Sequence, residues 1–237
     1  MLTLYQFEIS PFCDKIRRIL NLKRVPYQTR EVGLLEAQLG FKKVNPAGKV
    51  PALVTDDGRT VCDSTDIAYW IEEHHPEPPL VPRDARERAL MHVLEDWADE
   101  SLYFYEVRLR FGLAHNRERT LAKLLAGENA AVKLVAPLLA PRAINGQTRA
   151  QGIGRKSDAQ VLIELGRHLD AIAAFLAGND WLVGSRLSLA DIAVYAQLFA
   201  VADSTEGRAA VDARREVVAF MNRVDEATRP QPASRAA

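Results

Sequence analysis

The chain has 237 residues, 48% of them apolar and 26% charged, which suits one large or two small globular domains with a real core. Its 31 Lys and Arg balance 31 Asp and Glu, so no net field recruits nucleic acid or acidic lipid, and neither is expected as a partner. No apolar run reaches the roughly 20 residues of a membrane helix, the opening residues lack a leader-like pattern, and two cysteines, Cys13 and Cys62, suit a reducing cytoplasm.

A short apolar strand, Leu2 to Phe7, runs into Ser10-Pro11-Phe12-Cys13. Pro11 fits the first position of a helix, where its missing N–H costs nothing. Phe12, Ile16, Ile19 and Leu20 give that helix one buried face. The Ser10 hydroxyl and the helix N-terminus therefore meet at one point, suited to an anion such as a thiolate. Tyr27 to Val32 makes a second strand, and Leu34 to Lys43 has some helical character. Asn45 to Pro51 is dense in turn formers. Ala52–Thr55 and Arg59–Cys62 form a hairpin through Asp57-Gly58. Ser64 to His74 reads as a helix capped by Asp63 or Ser64. The order βαβ then ββα predicts a small mixed sheet with helices on its faces.

Prolines crowd His75 to Pro82 and cannot continue a helix. The expected division is residues 1–76, a linker 77–83, an all-helical domain 84–228 and a disordered tail 229–237. Leu90, Leu94, Trp97, Leu102, Tyr105, Leu109 and Leu113 recur at three- to five-residue steps along one long helix. A second helical stretch is expected from about Glu118 to Pro137. Gly152 and Gly154 break the pattern. Ser157 with Gln160 opens another helix as a capping box, lined by Leu162, Leu165, Leu169, Ile172 and Leu176 and closed by Gly178. Ser188 and Asp191 form a second capping box, stapled by Leu187 and Ile192, on an almost wholly apolar core helix. One last helix is expected over Ala210 to Val224.

An α/β thioredoxin-like domain followed by an all-α domain of this size resembles the cytosolic glutathione transferases, across nearly the whole chain. Ser10-Pro11-Phe12 resembles the catalytic-serine loop of the serine-type classes. Lys49-Val50-Pro51 resembles the lysine, valine and cis-proline that meet the glutathione backbone. Asp63-Ser64 is similar to the Glu/Gln-Ser pair that holds the γ-glutamyl end, with a side chain one methylene shorter. Ser188-x-x-Asp191 resembles the capping box of the family's penultimate core helix. Gln151-Gly152-Ile153-Gly154-Arg155 is similar to a segment of the metaxin-related, failed-axon-connections branch, which shares the fold.

The resemblance implies a glutathione transferase that conjugates the glutathione thiolate to small hydrophobic electrophiles, with glutathione as co-substrate and no metal. It also implies a cytoplasmic homodimer with a detoxifying role. Ser10 would be catalytic, and Lys49, Val50, Pro51, Asp63 and Ser64 would bind glutathione. Each has a plainer reading too: Ser10, Asp63 and Ser64 as helix caps, Lys49 as a solvated loop charge. Tyr5 is a second candidate hydroxyl, set within the strand. Cys13, three residues after Ser10, either packs in the core or serves a glutathione-dependent thiol–disulfide reductase or peroxidase. A non-enzymatic binding protein on the same fold is the third reading. The second substrate is expected between the domains, near Tyr103, Phe104, Tyr105, Arg108 and Phe111.

Overall fold

The computed structural model describes residues 1–230, the side chains of Gln38 and Leu39 excepted, so most of the expected tail lies outside the described residues. β1 (Leu2–Gln6) pairs in parallel with β2 (Tyr27–Glu31). β3 (Ala52–Val54) runs antiparallel to β1, and β4 (Thr60–Cys62) antiparallel to β3, giving the order β2-β1-β3-β4. Leu4 faces Leu53 across the β1–β3 ladder, and both are fully buried. At the Asp57-Gly58 hairpin, Gly58 takes φ +81°, a conformation that penalises any residue with a Cβ.

The parallel crossover from β1 to β2 is α1 (Pro11–Leu22), whose Ile16, Ile19 and Leu20 are fully buried. A short α2 (Leu34–Leu39) precedes the 45–51 loop, and α3 (Ser64–His74) follows β4. The proline-rich segment is tied down rather than loose. Lys23 Nζ donates to the carbonyls of His75 (2.7 Å) and Pro78 (2.8 Å), and Leu80 is buried.

The predicted long helix is a continuous helical path with two interruptions of period. α4 (Ala85–Trp97) passes through a π-helical turn (Ala98–Leu102) into α5 (Tyr103–Val107), then through a second (Arg108–Gly112). The five-residue step from Trp97 to Leu102 in the apolar pattern is the first π turn, where bonding is i to i+5.

Two boundaries differ from expectation. In place of one stretch ending at Pro137, α6 (Ala114–Leu124) closes early, and α7 (Ala130–Gln151) runs straight past Pro137 and Pro141. Both prolines lie on a helix with almost no buried residue, so the carbonyls they leave unpaired face solvent instead of a dry core. In place of one final helix there are two, α10 (Thr205–Asp212) and α11 (Arg215–Thr228). Arg214 leaves helical geometry between them. Its guanidinium bonds the Gly166 carbonyl at 3.1 Å and Asp170 at 2.8 Å, which pins the break against the helix below.

That helix is α8 (Asp158–Phe175), opened by the expected Ser157–Gln160 capping box. Gly154 packs so closely on the end of α7 that an added Cβ would lie 2.7 Å from Thr148 Oγ1 and from the Arg149 nitrogen, whereas Gly152 has open space around it and ends α7 at φ +118°. Every residue of α9 (Leu189–Val201) except Phe199 is buried, and it forms the centre of the helical half. No helix among the described residues is long and apolar enough to cross a membrane.

Asp191, at the start of α9, accepts from Leu182 N (2.8 Å), Ser188 N (2.8 Å) and Ser188 Oγ (2.7 Å) while fully buried. Asp191→Ala strands two buried N–H groups and is expected to cost about 3 kcal/mol in urea unfolding. Burial pushes the Asp191 carboxyl up to about 6, against hydrogen bonds that pull it down. The native state then holds more protons than the unfolded chain between about pH 4 and pH 6, so this group's stabilisation fades as pH rises through that window.

α1 joins the halves. It packs on α3 on one side and on α9 and α11 on the other. Arg18 of α1 donates to Tyr195 Oη (2.9 Å), Thr228 Oγ1 (2.8 Å) and Asp225 (3.0 Å).

Candidate functional site

A cleft of about 920 Å³ lies between the sheet-bearing half and the α4–α5 path. Ser10, Lys49, Val50, Pro51, Asp63 and Ser64, distant in sequence, all line it. Ser10 takes extended geometry (φ −78°, ψ 126°) as the N-cap of α1, and its Oγ accepts from Cys13 N at 3.4 Å. That bond is long for a cap, and the hydroxyl still has a proton to donate.

The Val50–Pro51 peptide is cis. Val50 lies just before β3 and outside its ladder, whose register begins at Ala52. Asn45, expected only as one of several turn formers, shapes this loop from inside: it is buried, donates Nδ2 to the Lys49 carbonyl at 2.7 Å and accepts from Ala47 N at 2.9 Å. Its signal was the asparagine before Pro46, a residue that folds its side chain back onto the following backbone.

Asp63 stands at φ 74°, ψ 135°, a region that costs a non-glycine residue on the order of 1–3 kcal/mol. It caps α3 by accepting from Thr65 N at 2.8 Å. Ser64 is buried, and its Oγ faces Asp99 Oδ2 at 3.4 Å. Asp63 is therefore the cap of α3, whereas Ser64 is its first residue and turns its hydroxyl to Asp99 instead of capping; both line the cleft.

Behind Ser64 lies a buried charge cluster that local sequence did not reveal. Lys15 Nζ of α1 contacts Glu95 Oε1 at 2.5 Å and Asp99 Oδ2 at 2.6 Å, with Lys15 1% and Glu95 2% exposed. Thr65 Oγ1 donates to Glu95 at 2.6 Å. Burial raises the Asp99 carboxyl, Lys15 opposes this, and Glu95 adds to it. Burial disfavours the Lys15 charge, but Asp99 and Glu95 more than offset that and hold its pKa above the ordinary lysine value. The partners are 80 and 84 residues apart in sequence, and no spacing rule links them.

The wall opposite Ser10 comes from α5 and the second π turn. Tyr103, Phe104, Val107 and Phe111 line it, as the aromatic run suggested, whereas Tyr105 is buried elsewhere. Burial pushes the Tyr103 phenol up to about 12, and its ring meets Phe12 at 4.9 Å. The arginine at this wall is Arg110, not Arg108. Its Nη1 donates to the Ile9 carbonyl (3.2 Å), beside Ser10, and to Glu106 (3.0 Å). The i, i+4 spacing of Glu106 and Arg110 was the available signal.

The other two candidates sit off the cleft. Tyr5 lies against Phe41 at 5.9 Å with the Arg30 guanidinium over its ring, and it is no part of the cleft wall. Cys13 is fully buried, and desolvation pushes its thiol up to about 11, so it holds a proton at neutral pH. Among the described residues no group of His, Cys, Asp or Glu is placed to hold a metal ion.

The chain matches the glutathione S-transferase N-terminal domain over residues 4–79 and the corresponding C-terminal domain over residues 133–227. It is 30% identical over 200 residues to FtsZ-localized protein A of Caulobacter vibrioides, covering 83% of this chain and 75% of that one. To glutathione S-transferase Z1 of Arabidopsis thaliana it is 41% identical over 92 residues, 38% of this chain and 41% of the plant protein. The solved structure of FzlA from C. crescentus superposes with a TM-score of 0.67 at 26% identity, covering 97% of this chain and 90% of that one. With both family domains in order, a thioredoxin-like half joined to a helical half, and the serine loop and cis-proline on one cleft, the chain belongs to the glutathione S-transferase superfamily.

Proposed function

We propose that the protein is a glutathione transferase in which Ser10 stabilises the glutathione thiolate for attack on a small hydrophobic electrophile. The convergence of Ser10, Val50–Pro51 and Asp63–Ser64 on one cleft supports this reading. A free thiol of pKa about 8.5 is only a few per cent ionised at pH 7. The Ser10 hydroxyl donates to the sulfur, and the α1 N-terminus adds favourable potential. The sulfur lone pair then forms the carbon–sulfur bond as the electrophile's leaving group takes its own electron pair.

Val50 N–H and C=O would pair strand-fashion with the cysteinyl unit, and Lys49 would meet a glutathione carboxylate. The γ-glutamyl ammonium would lie toward Asp63 and Asp96, and its carboxylate toward the α3 N-terminus. The electrophile would lie against Tyr103, Phe104 and Phe111. A cytoplasmic homodimer serving detoxification is the family-level setting of this proposal. Calorimetric titration with glutathione tests it: saturable binding is expected, and no heat at millimolar glutathione overturns it.

The protonated, buried state of Cys13 weighs against a thiol reductase. Maleimide at pH 7 is expected to label Cys62 in the native protein and Cys13 only after unfolding, read by peptide mass mapping. Rapid native labelling of Cys13 would reopen that chemistry.

A second reading has one observation in its favour: the match to FtsZ-localized protein A spans most of this chain, and the match to the plant transferase little more than a third. On this reading the fold serves as a binding protein that associates with FtsZ. Co-pelleting with FtsZ polymers, unchanged in a Ser10→Ala variant, would support it. Absence from the pellet would remove it.

A further inference from the structure

The first half of α7 is apolar and uncovered, while its second half reaches the cleft wall through Ile144 and Gln147. Of its residues only Thr148 is buried. Residues 130–141 carry a single charge, Lys133, and Leu134, Val135, Leu138 and Leu139 are 74%, 47%, 70% and 56% exposed. Leu134 and Leu138, like Val135 and Leu139, are one turn apart and form adjacent rows. Contiguous apolar rows of this kind are ordinarily buried, so these form a face awaiting a partner.

The chemistry of the helix narrows the occupant. α7 contains Lys133, Arg142 and Arg149 and no acidic residue. A second copy laid antiparallel about residues 137–138 would set Lys133 against the other copy's Arg142. Laid parallel, it would set each of these cations near its own equivalent. Self-pairing therefore juxtaposes like charges either way.

A lipid surface fares no better. Pro137 and Pro141 donate no hydrogen bond, so the carbonyls of Lys133 and Pro137, one turn earlier, lack their helical partners. Buried in hydrocarbon these carbonyls would stay unsatisfied, a cost that a protein partner's N–H or hydroxyl donors remove. The apolar rows would meet apolar side chains, and the three cations would meet carboxylates.

We propose that α7 is the docking face for an acidic, leucine-bearing segment of another protein. The proposed face, Leu134 to Leu139, is separate from the cleft, which α7 lines only through Ile144 and Gln147.

The test uses the full chain and a fluorescein-labelled helical peptide with leucines on one face and glutamates on the other. A peptide with lysine in place of glutamate serves as control. Saturable binding of the glutamate peptide is expected, weakened at least about tenfold for the lysine peptide and by added salt. Leu134→Glu with Leu138→Glu should weaken it by about tenfold or more. Val135→Ser with Leu139→Ser should do likewise. Ile163→Glu, an exposed apolar site on α8, should leave it unchanged. All three variants should melt like the parent, since none of these side chains is buried. The proposal is overturned if the glutamate peptide fails to bind, if the lysine peptide binds equally, or if Ile163→Glu weakens binding as much. It is also overturned if the α7 variants instead abolish association with phosphatidylglycerol vesicles or self-association in sedimentation.

Discussion

Ser10→Ala is expected to lower kcat/KM for glutathione conjugation about tenfold at pH 7 while weakening glutathione binding by no more than a few-fold. If hydroxyl and helix together depress the bound thiol by about two pKa units, the anion is stabilised by about 2.7 kcal/mol. Alanine removes the donor and leaves only the helix N-terminus. The ultraviolet titration of bound glutathione should then shift back toward the free value of about 8.5. The rate deficit should shrink at high pH, where the thiol ionises unaided. On the proposed binding mode, affinity rests mainly on the Val50 backbone and the α3 N-terminus, which the substitution does not touch. Losing the cap costs the fold about 1 kcal/mol, so the variant remains folded and the rate is interpretable. Undiminished conjugation in this variant would remove Ser10 from the chemistry.

The largest stability effect is expected at Lys15. Lys15→Met leaves Glu95 and Asp99 buried beside each other with no cation within the cluster. Breaking such a group from one side costs about 3–5 kcal/mol, a large part of a domain's total stability of about 5–15 kcal/mol. The sign of the pH dependence follows from the carboxylates. Without Lys15 the Asp99 carboxyl, already raised by burial, rises further, and its protonation relieves the repulsion. The deficit should therefore be widest near pH 8 and narrower near pH 5, in urea unfolding followed by tryptophan fluorescence. Lys15→Met combined with Glu95→Gln and Asp99→Asn should recover most of the loss, because no buried charge is then stranded. A single-variant deficit below about 1 kcal/mol would mean that water reaches the cluster.

Signals confined to a few consecutive residues were readable from the chain. The capping boxes at Ser157 and Ser188, the Asp57-Gly58 hairpin and the proline opening α1 occur where expected. The family motifs brought Ser10, Lys49, Val50, Pro51, Asp63 and Ser64 to one cleft. What the chain hid was long-range or depended on solvent. Lys15 with Glu95 and Asp99, and Arg110 with the Ile9 carbonyl, join residues 80 to 101 positions apart. Pro137 reads as a helix end only if the Lys133 carbonyl it orphans must be buried, and Lys133 is exposed. The split at Arg214 depends on a guanidinium finding acceptors on α8, which no local pattern encodes.

The helix proposed to present the thiolate also plugs two cations into the rest of the molecule, Lys15 toward Glu95 and Asp99, and Arg18 toward Tyr195, Asp225 and Thr228. The two halves are consequently not interchangeable cassettes. A hybrid grafting this N-terminal sheet onto a foreign helical body would expose both cations to mismatched sockets, and would need α1 recoded along with its new host.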